Sequence, residues 1–259
     1  MARAVKIVCF ALAVASLGLL GLLAASCGNG NAQYRVVNAI SDTSTLDPNG
    51  LAIYMNGGSV WTSVPFTQTE PSSAGKYQNQ QGGADTIDVY PEASAGEGGD
   101  EIINSALNLS GDTQYTVVLT GNESTQVYAA SKFTDDNSTT KPTSGNALFR
   151  IINASAVSNP NGVDVYILPP GTSPTNPPTS PMFNSTALLY QSATAYTNVG
   201  LPPGNSLTVY VTPHGERVNY ALPLAVSGLT GGISIRTIVI MDTSPGVQPL
   251  QLELLTEVN

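Results

Sequence analysis

The feature that most constrains this chain is that it states one pattern twice. Arg35-Val36-Val37-Asn38-Ala39 returns as Arg150-Ile151-Ile152-Asn153-Ala154. Asn49-Gly50-Leu51-Ala52-Ile53-Tyr54 returns as Asn161-Gly162-Val163-Asp164-Val165-Tyr166. Thr86-Ile87-Asp88-Val89-Tyr90-Pro91 is matched with Ser206-Leu207-Thr208-Val209-Tyr210-Val211, and Gln114-Tyr115-Thr116-Val117-Val118-Leu119 with Ile235-Arg236-Thr237-Ile238-Val239-Ile240. The order is kept, and the offset stays between 112 and 121 positions. Matches in register at a fixed period mark repeated structural units, here two of about 110 residues. A unit of that size can bury a core of its own.

Each unit reads as β. Runs rich in Val, Ile and Tyr predict strands near 34–39, 51–56, 86–90, 102–109, 115–120 and 126–133. The second unit predicts strands near 147–153, 163–168, 187–191, 206–212, 220–226, 234–241 and 250–257. Turn clusters such as Asn56-Gly57-Gly58 and Pro202-Pro203-Gly204 separate them. Many short strands in about 110 residues predict an all-β fold of two tandem Ig-like antiparallel β-sandwiches. The Cys…Trp…Cys signature of antibody domains is absent, so the expectation is one of architecture. The boundaries fall at 34–134 for the first sandwich, 135–146 for a polar linker and 147–259 for the second. The proline-rich stretch 169–181 has no counterpart in the first unit. It reads as a surface insertion, or alternatively as a presented binding loop.

The segment before the repeats reads as an address. Arg3 and Lys6 precede an apolar run without charge from Ile7 to Ser26, the pattern of a signal peptide over residues 1–26. An uncleaved membrane anchor is the alternative, since about 20 apolar residues can span a bilayer. The run ends in Ala24-Ala25-Ser26-Cys27. Small residues before a cysteine resemble a bacterial lipobox. That resemblance implies cleavage before Cys27, lipidation of its thiol, a short tether over 27–33, and a mature chain held outside the cytoplasm. With Gly28 following, it implies the outer membrane in a Gram-negative host. Several acyl chains, each buried methylene contributing about 0.8 kcal/mol, make such an anchor stable.

The strand motifs at 35–39, 51–55, 115–119, 150–154 and 163–167 resemble a bacterial family, domain of unknown function 4397. The resemblance covers most of the chain after residue 33. It implies an extracytoplasmic β-sandwich and supplies no activity or catalytic residues.

Charge narrows the partners. The chain holds 9 Lys+Arg against 18 Asp+Glu, with a net charge of -9. Binding nucleic acid through phosphate contacts is excluded on that count. The imbalance is concentrated: residues 28–145 carry 13 acids and 4 bases, and residues 146–259 carry 5 and 3. The only histidine, His214, sits in Thr212-Pro213-His214-Gly215, which reads as a turn. One histidine and no cysteine beyond Cys9 and Cys27 leave neither a triad nor a zinc ligand set. No cofactor, metal or catalytic residue is assigned. The acids Glu92, Glu97, Asp100 and Glu101 lie in one loop and read as solvated, with calcium or carboxylate chemistry as lesser readings. Asn38 and Asn153 read as strand-end amides that cap the next turn. Trp61, Tyr54 and Tyr166 are the candidate ligand contacts, against a default of packing.

The sequence therefore predicts a non-enzymatic surface lipoprotein, either structural or binding a protein or glycan partner. A carbohydrate-binding module is the alternative, and a carboxylate hydrolase comes third.

Overall fold

The computed structural model describes residues 30–73, 76–91, 100–122, 127–135, 141–156, 161–174, 183–243 and 250–257. The expected signal segment, Cys27, Glu92 and Glu97 lie outside the described residues. Within them, no helix is long and apolar enough to cross a membrane.

The first half of the described chain forms nine strands. They are β1 (Asn31–Asn38), β2 (Leu51–Met55), β3 (Gly58–Val64), β4 (Thr69–Glu70), β5 (Gln78–Gln81), β6 (Thr86–Pro91), β7 (Ile103–Ala106), β8 (Gln114–Asn122) and β9 (Val127–Asp135). One helical turn, α1 (Thr43–Leu46), follows β1. The second half repeats the series: β10 (Asn146–Asn153), β11 (Val163–Leu168), β12 (Phe183–Leu188), β13 (Ser192–Ala193), β14 (Thr197–Gly200), β15 (Leu207–Pro213), β16 (Leu224–Val226), β17 (Ile235–Asp242) and β18 (Leu250–Thr256).

Each half folds into two sheets. In the first they run β4-β1-β8-β9, with β5 also on β1, and β3-β2-β6-β7. In the second they run β13-β10-β17-β18, with β14 on β10, and β12-β11-β15-β16. Every strand of the first half thus has a counterpart nine places on, in the same pairing. The expected all-β pair of sandwiches is what the chain forms. One detail departs from the expectation of antiparallel strands throughout: β1–β8 and β10–β17 pair in parallel.

Parallel pairs usually lie where both sheet faces are covered, and these do. Tyr34 and Val36 of β1 enter the core of the first sandwich, with Ile53 of β2, Val89 of β6 and Val117 of β8. The alternate residue Val37 joins Val118, Ile152, Val239, Met241 and Leu255 in a second apolar layer, contributed by both halves. Phe149, Ile151, Val165, Val209 and Ile238 fill the core of the second sandwich. The result is four layers, with the β1 and β10 sheets face to face at the centre. Strands buried on both faces explain the continuous Val/Ile runs where a half-exposed strand would alternate.

The central seam carries charge, and it carries it symmetrically. Arg35 Nη2 donates to Glu257 across the seam, and Arg150 Nη2 donates to Asp135 Oδ1 at 2.5 Å in the reverse direction. Arg35 Nε donates to Thr116 Oγ1 at 2.9 Å, and Arg150 Nε to Thr237 Oγ1 at 3.2 Å. Those hydroxyls donate to Asp135 and Glu257 of their own halves, at 2.7 and 2.6 Å. Tyr77 lies under the Arg35 guanidinium and Tyr196 under that of Arg150. The ionic side chains are almost fully buried. Burial pushes the Glu257 carboxyl up, but Arg35 and Arg150 pull it further down, to a net value below the ordinary 4.5. Desolvation offsets much of what such pairs contribute, so their main effect is to fix how the halves meet.

Two local points qualify the sequence reading. Asp135, which composition places at the start of the linker, ends β9 with its carboxylate held in the seam. The strands β3, β4, β5, β13 and β14 carry few buried apolar residues and show no strand signal in the sequence.

Candidate functional site

Alternation along β2 and β6 gives the first sandwich an outer face. Leu51, Ile53, Ile87 and Val89 point into the core. Tyr54, Asp88 and Tyr90 therefore point away from it. Tyr54 and Tyr90 meet edge to face, with ring centroids 5.5 Å apart at 81°. Both are partly exposed. Asp88 stands directly opposite Tyr54, and Ala52 opposite Tyr90. On the neighbouring strand β7, Asn104 pairs with Asp88 and donates to its Oδ1 at 3.0 Å. Glu101 accepts from Tyr90 Oη at 3.1 Å and from Asn104 Nδ2 at 3.3 Å. Partial burial and then the Glu101 charge hold the Asp88 carboxyl above its ordinary value. The hydrogen bond to Glu101 raises the Tyr90 phenol.

Among the described residues this face is open, and the β2–β3 connection leaves it so, being the shortest hairpin. Asn56 and Gly57, at φ 52° and 74°, are the two left-handed residues of a type I′ turn. Asn56 also ties the hairpin to β6: its Oδ1 accepts from Thr86 N at 2.9 Å, and its Nδ2 donates to Asp85 at 2.9 Å.

The outer face of the second sandwich is closed. Tyr166 and Tyr210 stand opposite each other across β11 and β15 and are only 4% and 9% exposed. The β11–β12 connection is the proline-rich stretch, of which residues 169–174 are described. Tyr210 Oη donates to the Thr172 carbonyl at 2.5 Å. The Arg217 guanidinium lies 5.4 Å over the Tyr166 ring, and its Nη1 donates to the Pro174 carbonyl at 3.3 Å. A loop and an arginine therefore cover these tyrosines.

The three aromatic candidates are not brought together. Trp61 turns inward, packing on the first core and meeting Tyr34 edge to face at 5.7 Å. A register shift in the β2–β3 pairing beside it accounts for that orientation. Tyr54 and Tyr166 lie on opposite outer faces of the stack. The repeat alignment also needs a correction. Leu51 pairs with Pro91 as Val163 pairs with Pro213, so Tyr90 corresponds to Thr212, and Asp88 to Tyr210. Aligning Tyr90 with Tyr210 slips the strand by two residues.

Other sequence candidates have structural roles. Asn38 Oδ1 accepts from Ile40 N and its Nδ2 donates to the Val64 carbonyl; Asn153 does the same with Ser155 N and the Leu188 carbonyl. Both amides cap a turn, as read, and fasten one sheet to the other. His214 Nδ1 lies 2.9 Å from Asp164 Oδ1, and Asp164 also accepts from Gly215 N and Ala187 N. Burial raises the Asp164 carboxyl, but the bonds to His214, Gly215 and Ala187 outweigh it and hold it below its ordinary value. The pair clamps a hairpin turn. Among the described residues, no group of three or more His, Cys, Asp and Glu is placed to hold a metal. The residues that sequence reading missed are Asp88, Tyr90, Asn104, Tyr210 and Arg217. For Asp88 and Tyr90 the signal was present, since period two puts both on the side opposite Ile87 and Val89.

The profile of one family, described as a domain of unknown function (DUF4397), matches residues 32–166. It runs from β1 into β11 and takes in the whole open face. It is the family that the strand motifs resemble. No curated protein matches the chain. Among solved structures, the chain is similar to family 41 carbohydrate-binding modules from streptococcal virulence factors, described for alpha-glucan recognition. The identity is 12%, the TM-score 0.26, and the coverage 87% of this chain and 97% of that one. It is also similar to CBMbc, a family 26 module of Eubacterium rectale Amy13K solved with maltoheptaose. There the identity is 9%, the TM-score 0.25, and the coverage 88% and 98%.

Proposed function

The chain belongs to the DUF4397 family, and on that premise we propose that it is a non-catalytic binding protein of the cell envelope. Lipidated Cys27 tethers it, and its two sandwiches, joined by a buried seam, present the Tyr54–Tyr90 face to a partner. One observation carries the reading: both sandwiches build an outer face around a tyrosine of the same strand, and among the described residues only the second face is covered by the chain itself. Aromatic rings on a rigid sheet offer a large contact area at small conformational cost. Asp88, Glu101 and Asn104 beside them supply orientation and specificity.

The test is retention of the lipid-free chain on envelope material, compared with a Tyr54→Ala/Tyr90→Ala variant of unchanged melting temperature. Loss of retention is expected. Retention equal to that of the parent, or a turnover abolished by Asp88→Asn, overturns the reading. Mass spectrometry of the processed N-terminus tests the tether: a diacylated Cys27 is expected, and its loss in Cys27→Ala.

A second reading has its own support. Two carboxylates and an amide beside ring faces suit the hydroxyls and C–H groups of a sugar. A glycan array on which binding vanishes with Tyr54→Ala would favour it over a protein partner.

A further inference from the structure

From what covers the second face and is missing from the first, we infer that the open face takes an extended, proline-containing peptide bearing arginine. The inference rests on the binding role proposed above and names the partner's chemistry.

The second sandwich displays the contact that its tyrosines make. A proline-rich segment runs across them, Tyr210 holds its backbone through the Thr172 carbonyl, and Arg217 lies over Tyr166 while bonding the Pro174 carbonyl. Proline-rich chains dock on aromatic surfaces because they are already extended and lose little entropy. A guanidinium over a tyrosine ring adds a cation–π attraction.

Among its described residues, the first sandwich shows neither covering element. Its β2–β3 connection is the two-residue turn Asn56-Gly57. The connection after β6, which corresponds to the one holding Arg217, carries acids instead: Glu92, Glu97, Asp100 and Glu101. No Lys or Arg occurs between Lys76 and Lys132. The strand position of Tyr210 is filled by Asp88, directly opposite Tyr54. A ligand arginine stacked on Tyr54 would thus meet the carboxylate of Asp88, with Glu101 nearby. The face has exchanged its own base for acids and opened the aromatic surface, and a basic, proline-containing strand complements both changes. A tyrosine hydroxyl also stands at this face for the peptide backbone: Tyr90 Oη bonds the exposed Glu101, a partner it can exchange.

The experiment uses the full lipid-free chain and a synthetic peptide, Arg-Pro-Pro-Gly-Thr-Ser-Pro-Arg, followed by fluorescence polarisation. Saturable binding is expected. It should weaken at least about tenfold with Tyr54→Ala, a change of about 1.4 kcal/mol. It should also weaken with Asp88→Asn/Glu101→Gln, and with salt in the parent but much less in that double variant. A peptide with both arginines replaced by glutamate should not bind. Thermal melts establish that each variant is folded, and Tyr166→Phe serves as a second, conservative control on the covered face. Three outcomes overturn the inference: no saturation by the peptide, equal affinity for the Tyr54→Ala variant, or equal affinity for the glutamate peptide. If envelope retention still depends on Tyr54 in any of these cases, the binding role stands and only the peptide assignment falls. Tyr54-dependent binding on a glycan array without peptide binding transfers the face to sugars.

Discussion

The inner faces of the two sandwiches have stayed alike, while the outer faces have parted. At the seam, Arg35, Thr116, Tyr77 and Asp135 of one half answer Arg150, Thr237, Tyr196 and Glu257 of the other. Each arginine makes its closer ion pair with the acid of the opposite half and a longer one with its own, so neither set can change alone without leaving a buried charge uncompensated. The outer faces have no such mutual dependence. There, one tyrosine is closed over by a loop and an arginine, and its counterpart faces an aspartate and solvent. Reciprocal contacts preserve a duplicated surface, and the surfaces without them are where the two copies have become different.

Substitutions at the seam test the likeness most severely. Arg35→Met and Arg150→Met should each cost about 3–5 kcal/mol, because two buried arginines balance two buried carboxylates and each variant leaves one negative charge uncompensated. Chemical denaturation of both variants checks this, and a large inequality between them would break the symmetry of the seam. On the outer faces the expectation is asymmetry. Tyr210→Ala should cost about 3 kcal/mol by removing a buried ring, and Tyr54→Ala under about 1 kcal/mol, since its ring is partly exposed. Equal losses would mean that the open face is packed as the closed one is. Acid titration sharpens the picture of the seam. The Glu257 carboxyl lies below its ordinary 4.5 when folded, so its contribution is complete above that pH and is lost as pH falls below it toward the folded value. The fall in melting temperature in that window should be shallower in Glu257→Gln. The smallest effect belongs to the cover itself: Arg217→Ala should cost about 0.5–1 kcal/mol, measured by thermal melting, while raising the solvent accessibility of Tyr166 in quenching experiments.

The strands that build the two cores were legible in the sequence because their side chains are apolar at the right spacing. Tyr34 and Val36, or Phe149 and Ile151, announce a buried face wherever the chain places them. The seam was not legible. Arg35 and Arg150 open the repeated motif, but their counter-ions stand far along the chain, Glu257 being 222 positions beyond Arg35, and no periodic pattern encodes such a pairing. The edge strands were missed for the opposite reason: Gln78–Gln81 is polar and mostly exposed, and its place in the sheet comes from backbone pairing with β1. The outer face was half legible. Tyr54 and Tyr166 stood out as repeated tyrosines, but a pattern of period two looks the same after a slip of two residues. Only the pairing with β2 shows that Asp88, and not Tyr90, takes the place of Tyr210. Trp61 stayed a candidate contact beside the default of packing, because composition gives no sign of which way a ring turns beside a register shift.

The parallel pairing of β1 with β8 bears on the order in which the molecule can be assembled. Gln33 of β1 meets Gln114, so that sheet stays open until some eighty further residues have been made. The seam waits longer still, since Arg35 has no carboxylate from the other half until synthesis reaches Glu257. Emergence from the N-terminus, in synthesis or in export, therefore delivers the first sandwich well before its inner face can be covered. In that interval Val37, Val118 and Phe133 form an adhesive surface, which makes this stage of biogenesis the one most in need of a holding chaperone.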